Sequence, residues 1–337
     1  MLAGHIVAHR RIELIDIPEP ELNGPGPDGA PQIIFEPHYT CLCGSDLPFF
    51  DGDFNGEPTE FPQQVGHSLH EMIGRVVETN GEKFRVGERV LTVPVYQVGL
   101  FERFCNSENR TIHVDDRPHV ENALMPQPLG TVMYALAKLP NVMDHDVAVV
   151  GQGPIGQLFN VALRNLGARE IIGIDKLQSR LETSPKMGAT ATICNATEDP
   201  VSAVQKILGG RLPDLVIEAV GHKDQTLNLC IDLTRKFGTI LFFGVPPEKV
   251  HDVNMLKLWR NNLKLVTSVE PGFERDFPLA MRWIAEGRVD VSPIITHRFP
   301  LAKIQEAYEV FLNRTDGALK VMVEFPAAGQ HEPGSRQ

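Results

Sequence analysis

Cys41 and Cys43 stand one residue apart in the stretch CLCGSD, which runs from Cys41 to Asp46. Two thiols, a turn glycine, a hydroxyl and a carboxylate so close together admit three readings: metal ligands, a redox pair, or small residues filling a core. On a strand the two thiols would point to the same face, and Gly44 marks the start of a turn. A second group of donors lies in VGHSLHEMIGRVVE, which carries His67, His70 and Glu71. A catalytic zinc takes three protein ligands and leaves one position open. Residues three apart on a strand face opposite ways, so His67 and His70 share a site only if a turn separates them.

A different chemistry is written at GQGPIG, from Gly151 to Gly156. The pattern G-x-G-x-x-G follows the apolar run VAVVG and opens a helical stretch, which is the context a dinucleotide-binding turn requires. Gly151 permits the tight turn, Gly153 lets backbone approach a pyrophosphate, and Gly156 lets helix and strand pack closely. The helix N-terminus offers N–H groups and positive dipole to phosphate. Pro154 suits the first turn because its missing N–H is not needed there. Ile155 completes the set. Asp175 ends the next strand, EIIGID. A carboxylate there accepts from both ribose hydroxyls and repels a 2′-phosphate, which favours NAD over NADP. Lys176 and Arg180 lie close by, and Arg180 counts among the cofactor contacts.

These groups need elements to hold them, and the chain changes character near residue 128. Before it, short apolar runs (RIELIDI, PQIIFEPHY, EMIGRVVE, ERVLTV) alternate with Pro and Gly, as in an irregular β domain. After it, strands alternate with helices: VAVVG, EIIGID, ATICN, DLVIEAV, TILFFGV and LKLVTSV, the fourth followed by a helix expected over KDQTLNLCIDLTRKF. Continuous apolar strands suit a parallel sheet covered on both faces. Six of them in two βαβαβ halves predict an α/β, doubly wound dinucleotide fold. Two amphipathic helices, DFPLAMRWIAEG and LAKIQEAYEVFLNR, and a strand VMVEF follow. They do not extend that sheet and are expected to fold back onto the first domain.

Bulk properties narrow the classes. The 337 residues allow two domains and a substantial core. A net charge of −11 argues against nucleic-acid or anionic-membrane partners. Five cysteines, an odd number without paired spacing, read as a reducing cytoplasm rather than a disulfide scaffold. No long apolar segment follows Met1, so no signal peptide is expected. No run reaches the roughly 18 apolar residues of a membrane span. Residues 328–337 are polar and read as a flexible tail.

CGSD at Cys43–Asp46, HEMIGRVVE at 70–78, GERV at 87–90, GLFERF at 99–104, GVPP at 244–247 and ITHRFPLAKIQEAYEVF at 295–311 together carry a resemblance. The chain resembles the zinc-type medium-chain alcohol dehydrogenase family, close in pattern to its polyol and threonine dehydrogenase branch. That resemblance implies a GroES-like catalytic domain over residues 1–127, completed by 269–327, and a Rossmann coenzyme domain over 128–268. It implies an active site in the cleft between them and a homodimer or homotetramer. It makes Cys43 the zinc thiolate, His70 a ligand with Glu71 beside it, Ser45 the acceptor of the alcohol proton, and Asp46 the group that orients the ligand histidine. Val220 and Val245 would pack on the nicotinamide, and Lys320 would contact the pyrophosphate. Cys41, Cys105, Cys194 and Cys230 are left to packing.

Three departures stand out. Gln127 occupies the place where the polyol branch has a zinc-binding Glu, so the third ligand is open among Glu71, Gln127 and His67. Pro48 occupies the place of a proton-relay histidine. The four-cysteine loop of a structural zinc is missing, so one catalytic zinc and no structural zinc is expected. The reaction implied is hydride transfer from a primary or secondary alcohol or polyol to NAD. The alternatives are a zinc-free reductase of quinones or enones, and a non-catalytic NAD-binding protein.

Overall fold

The computed structural model describes residues 1–54, 57–221 and 226–328, the side chains of 54 and 57 apart. The tail beyond residue 328 and the first residues of the KDQTLNLCIDLTRKF helix lie outside the described residues. The chain divides into two units. The first comprises Met1–Gln127, Phe273–Ala285 and the chain from Ile295 on; the second comprises Pro128–Gly272 and Glu286–Ile294.

The first unit is built on a seven-stranded sheet. In order across it lie Ile295–Pro300, Lys320–Glu324, Gln32–Cys41, Glu71–Thr79, Arg89–Thr92 and Thr111–His113, with Phe104–Ser107 also pairing Gln32–Cys41. Only Ile295–Pro300 and Lys320–Glu324 pair in parallel; the other pairings are antiparallel. The run at 11–17 forms a hairpin with Leu2–Ala8. Ile33, Phe35, Met72, Val76 and Val323 from the strands meet Phe50 and Tyr308 in one core. The helix Ile304–Asn313 faces that core with Ile304, Ala307, Tyr308 and Phe311, the i, i+3, i+4, i+7 stripe of an amphipathic helix.

Register in this sheet does more than hold it together. Cys41 stands between Met322 on one neighbour and Glu71 on the other. Directly paired residues share a face of the sheet, and so do positions two apart along a strand. Lys320 lies two residues before Met322, and Cys43 two beyond Cys41. The antiparallel pairing therefore carries Lys320 and Cys43 to the same end, beside Glu71.

The second unit is a six-stranded parallel sheet in the order Ala191–Cys194, Glu170–Asp175, Asp146–Val150, Leu215–Glu218, Thr239–Phe242, Lys264–Thr267. This is the doubly wound arrangement, with the order reversing at the first strand of the series. Asp146–Val150 is buried at every position, which is why it reads as an apolar run without alternation. The junctions differ from the division at 268 drawn from the sequence. The parallel-sheet unit keeps residues to Gly272 and takes back Glu286–Ile294, while Phe273–Ala285 belongs with the first unit. That helix packs on the first unit through Phe277, which sits with Leu91, Val93 and Ile112.

The glycine-rich turn is as tight as its spacing suggests. Gly151 has φ +96°, a conformation glycine adopts without strain. A Cβ on Gly156 would lie 1.8 Å from the Gly151 carbonyl oxygen, so helix Pro154–Asn165 approaches the turn too closely for any side chain. Gly156→Ala should destabilise the protein by about 1–3 kcal/mol, read as a lower urea midpoint.

Candidate functional site

The CLCGSD stretch splits where the strand Gln32–Cys41 ends. Cys41 is fully buried in the sheet, and burial pushes its thiol pKa far up, which suits packing. Cys43 has left the strand and caps a short 3-10 turn over Gly44–Asp46. Its backbone N–H donates to Asp46 Oδ2 at 2.7 Å, which draws the turn shut. Asp46 is itself fully buried, and its other oxygen, Oδ1, accepts from His70 Nδ1 at 3.1 Å.

His70 immediately precedes the strand Glu71–Thr79, so strand alternation does not force it and Glu71 to opposite faces. Donor atoms of Cys43, His70 and Glu71 all lie within 4.8 Å of one another, the one such group of His, Cys and acidic donors among the described residues. Ser45 Oγ lies 3.5 Å from His70 Nε2. Burial by itself favours neutral imidazole, yet Asp46 and Cys43 outweigh it and hold the His70 pKa well above its ordinary range. A thiol, an imidazole backed by a carboxylate on its far nitrogen, and a carboxylate form a donor set that suits one zinc ion.

One expectation changes here, and one open alternative closes. Lys320, read as a pyrophosphate contact, is instead 1% exposed and committed to Glu71. Its Nζ donates to both Glu71 oxygens, to Oε1 at 2.5 Å, and to the Leu42 carbonyl at 3.3 Å. A lysine so enclosed has no face left for a phosphate. His67 is separated from His70 by a turn, but the two do not share a site. Its Nε2 donates to the Tyr96 carbonyl at 3.1 Å and its ring packs on Phe49. Gln127 sits half-buried in the helix Pro126–Leu136. Pro48 is buried in the helix Leu47–Asp51.

Tyr308 was not foreseen. Its hydroxyl donates to the Ser68 carbonyl, and Ser68 Oγ donates to the Asp46 carbonyl at 3.3 Å. The far helix thus pins the turn that carries His70 to the turn that carries Asp46. The sequence showed Tyr308 only as one residue of an amphipathic stripe, where an aromatic reads as core.

In the second unit, Gly153 caps the helix Pro154–Asn165, with Pro154 in its first turn. The nearest atoms a Cβ on Gly153 would meet belong to the Arg180 guanidinium, at 3.6 Å, an ordinary contact distance. Asp175 accepts from the backbone N–H of Gln152 at 2.7 Å and of Leu177 at 2.9 Å, and Arg180 Nη1 lies 3.4 Å away. Ile155 is half-buried at the start of the helix. Val220 and Val245 are exposed on neighbouring loops, which Glu218 ties together by accepting from Val220, Gly221 and Gly244 N–H groups at 3.0–3.1 Å. Beneath the turn, Gln152, Gln157, Asn160 and Ser184 form a fully buried side-chain network that periodicity alone did not announce.

Comparison with known proteins agrees with both halves. The sequence profile of the alcohol dehydrogenase GroES-like domain matches residues 29–148, and that of the zinc-binding dehydrogenase domain matches residues 154–286. D-arabitol-phosphate dehydrogenase of Enterococcus avium is 26% identical over 324 residues, covering 87% of this chain and 90% of that protein. Sorbitol dehydrogenase of Bombyx mori is 26% identical over 347 residues, covering 93% and 95%. The alcohol dehydrogenase TADH from Thermus sp. ATN1 shares the fold with a TM-score of 0.82 at 23% identity, over 96% of this chain and 100% of that one.

The Lys320–Glu71 pair yields a direct test. Lys320→Met leaves a carboxylate buried without its cation and should cost about 3–5 kcal/mol in urea unfolding, whereas combining it with Glu71→Leu should recover most of the loss.

Proposed function

The chain belongs to the zinc-type medium-chain alcohol dehydrogenase family, and from that premise we propose that it oxidises a small alcohol or polyol and passes the hydride to NAD. The observation that carries this reading is the convergence of Cys43, His70 and Glu71 within 4.8 Å, with Asp46 fixing the histidine from behind. Cys43 and His70 would hold zinc, with the third place taken by Glu71 or by the Gln127 amide. A bound zinc supplies Lewis acidity that lowers the pKa of an alcohol. Asp46 accepts from Nδ1–H of His70 and so directs the Nε2 lone pair toward the metal position. Ser45 Oγ, close to that Nε2, takes the alcohol proton. Pro48 has no proton to pass on, so the set of residues named here delivers the proton no further than Ser45.

On the nucleotide side, Gly153 and the helix behind it would receive the pyrophosphate, and Asp175 would accept from the adenosine ribose hydroxyls. A carboxylate at the end of the Glu170–Asp175 strand repels a 2′-phosphate, which supports NAD over NADP. Arg180, already hydrogen-bonded to it, would meet the same part of the nucleotide. Val220 and Val245 would form the apolar wall for the nicotinamide.

The polyol reading draws support from the named activities of the sorbitol and D-arabitol-phosphate dehydrogenases, each about a quarter identical to this chain. A homodimer is proposed through the Lys264–Thr267 edge strand. Among the described residues that strand pairs on one side only, and Leu265, Trp259 and Val269 are exposed on it or close to it in the chain. The five cysteines include no disulfide, which suits a reducing compartment such as the cytoplasm. Among the described residues no helix is long and apolar enough to cross a membrane.

Cys43→Ala and His70→Ala should lose zinc, measured by metal analysis, and lose alcohol oxidation, while NADH binding followed by fluorescence persists. Asp46→Asn should weaken zinc binding by about 10- to 100-fold. Full turnover by metal-free protein would sink the zinc reading in favour of a zinc-free reductase. Gly153→Ala should weaken NAD binding without lowering the urea midpoint, because the added methyl meets ligand space rather than backbone.

A further inference from the structure

Tyr308 is the polar member of the buried stripe by which the helix Ile304–Asn313 faces the core of the first unit. Its ring is fully buried and packs on Phe50, with ring centroids 4.9 Å apart. Phenylalanine would fill that place as well, and a buried hydroxyl is costly unless it finds a partner. This hydroxyl donates to the Ser68 carbonyl, and its oxygen lies 3.4 Å from Ser68 Oγ. Ser68 is fully buried too, and stands two residues before His70.

From Ser68 the contacts close into a circuit. Ser68 Oγ donates to the Asp46 carbonyl at 3.3 Å, so Asp46 is held by its main chain. Its carboxylate is held separately, with Oδ1 accepting from His70 Nδ1 at 3.1 Å and Oδ2 from the Cys43 N–H at 2.7 Å. The short run of chain from Ser68 to His70 completes the circuit. Phe50, against the Tyr308 ring, belongs to the helix Leu47–Asp51, which directly follows Asp46. Tyr308 therefore grips both segments that bear the donors: residues 44–51 through its ring, and residues 68–70 through its hydroxyl. Neither grip falls on a donor atom, so what the two grips set is the distance between the segments.

Resting on the zinc reading above, we propose that Tyr308 and Ser68 are positioning residues of the metal centre. Acting through Asp46, they fix the separation of the Cys43 thiol and His70 Nε2, and with it the affinity of the site for zinc. Hydrogen-bond partners behind a metal ligand contribute about 10- to 100-fold in metal affinity. Tyr308 and Ser68 stand behind Asp46 in turn, which places their effect at the lower end of that range. They act in series, so removing both costs little more than removing either.

The test measures zinc affinity on the folded, metal-free full chain by competition with a chromophoric chelator. Cobalt loading then reads the ligand arrangement through its visible and thiolate charge-transfer bands. Tyr308→Phe keeps the ring on Phe50 and removes only the hydroxyl. Ser68→Ala removes the link to Asp46. Phe311→Leu, on the same buried stripe, disturbs packing outside this circuit. Tyr308→Phe and Ser68→Ala should each weaken zinc binding by about 10-fold and shift the cobalt bands, and the double variant should match the single ones. Phe311→Leu should lower the urea midpoint and leave zinc affinity and cobalt bands unchanged. Wild-type zinc affinity in Tyr308→Phe, losses that multiply in the double variant, or an equal loss in Phe311→Leu overturns the proposal while the zinc reading stands. A wild type that binds no zinc overturns both, and is told apart because it shows before any variant is compared. Should Tyr308→Phe fail to fold, Ser68→Ala decides: a loss of about 10-fold supports the proposal, and wild-type affinity overturns it.

Discussion

A carboxylate taken out of water needs a cation, and the first unit is arranged around that need. Glu71 and Lys320 are both about 1% exposed, and they meet although 249 residues separate them along the chain. The pairing is possible because Gln32–Cys41 lies between their strands and sets the register of both. Asp46 obeys the same constraint with a different partner: it is fully buried, and its oxygens are divided between His70 and the Cys43 N–H. With Cys43 as a thiolate and His70 neutral, as a metal ligand must be, the negative groups here exceed Lys320 by two, the charge that a divalent metal would supply. Buried ion pairs contribute little net stability, but leaving one member unpaired is costly. The cluster is therefore held together by the penalty for taking it apart.

The second unit meets a steric constraint instead. The turn from Gly151 to Gly156 packs backbone on backbone, with Gly156 facing the Gly151 carbonyl and Gly151 facing the Ala219 backbone. Gly153 differs, since its nearest neighbours are side-chain atoms of Arg180 at ordinary contact distance rather than backbone. Three glycines of one motif thus serve two purposes: two permit close packing, and one leaves room for a ligand. Glu218 plays a comparable organising part, because its buried carboxylate gathers N–H groups from the loops bearing Val220 and Val245. Burial raises its pKa, and those hydrogen bonds act against the rise.

Much of this was legible in the sequence. The six parallel strands announced themselves as uninterrupted apolar runs, and the glycine pattern sat between a strand and a helix as its mechanism demands. Cys43, His70, Glu71 and Asp46 were singled out by residue type and motif, and the structure brings them together. The junctions at Gly272 and at Glu286–Ile294 differ from the division at 268 because short connecting segments carry no periodic apolar face that assigns them to a unit. His67 was a plausible ligand by type, and only the path of the turn sends it to Tyr96. Ser68 and Tyr308 carried no signal of their own, one being an ordinary hydroxyl in a loop and the other an aromatic on a helical stripe.

What the sequence determined by itself was local: which segments are strands, where the chain turns tightly, and which side chains can ligate a metal or accept from a hydroxyl. Those follow from periodicity, backbone freedom and donor chemistry, all properties of a few neighbouring residues. What only the tertiary structure decided was partnership. Lys320 could have served a phosphate or a carboxylate, and the register of three strands gives it to Glu71. A lysine's role depends on which opposite charge lies within reach once water is excluded, and that is a property of distance in space rather than of position in the chain.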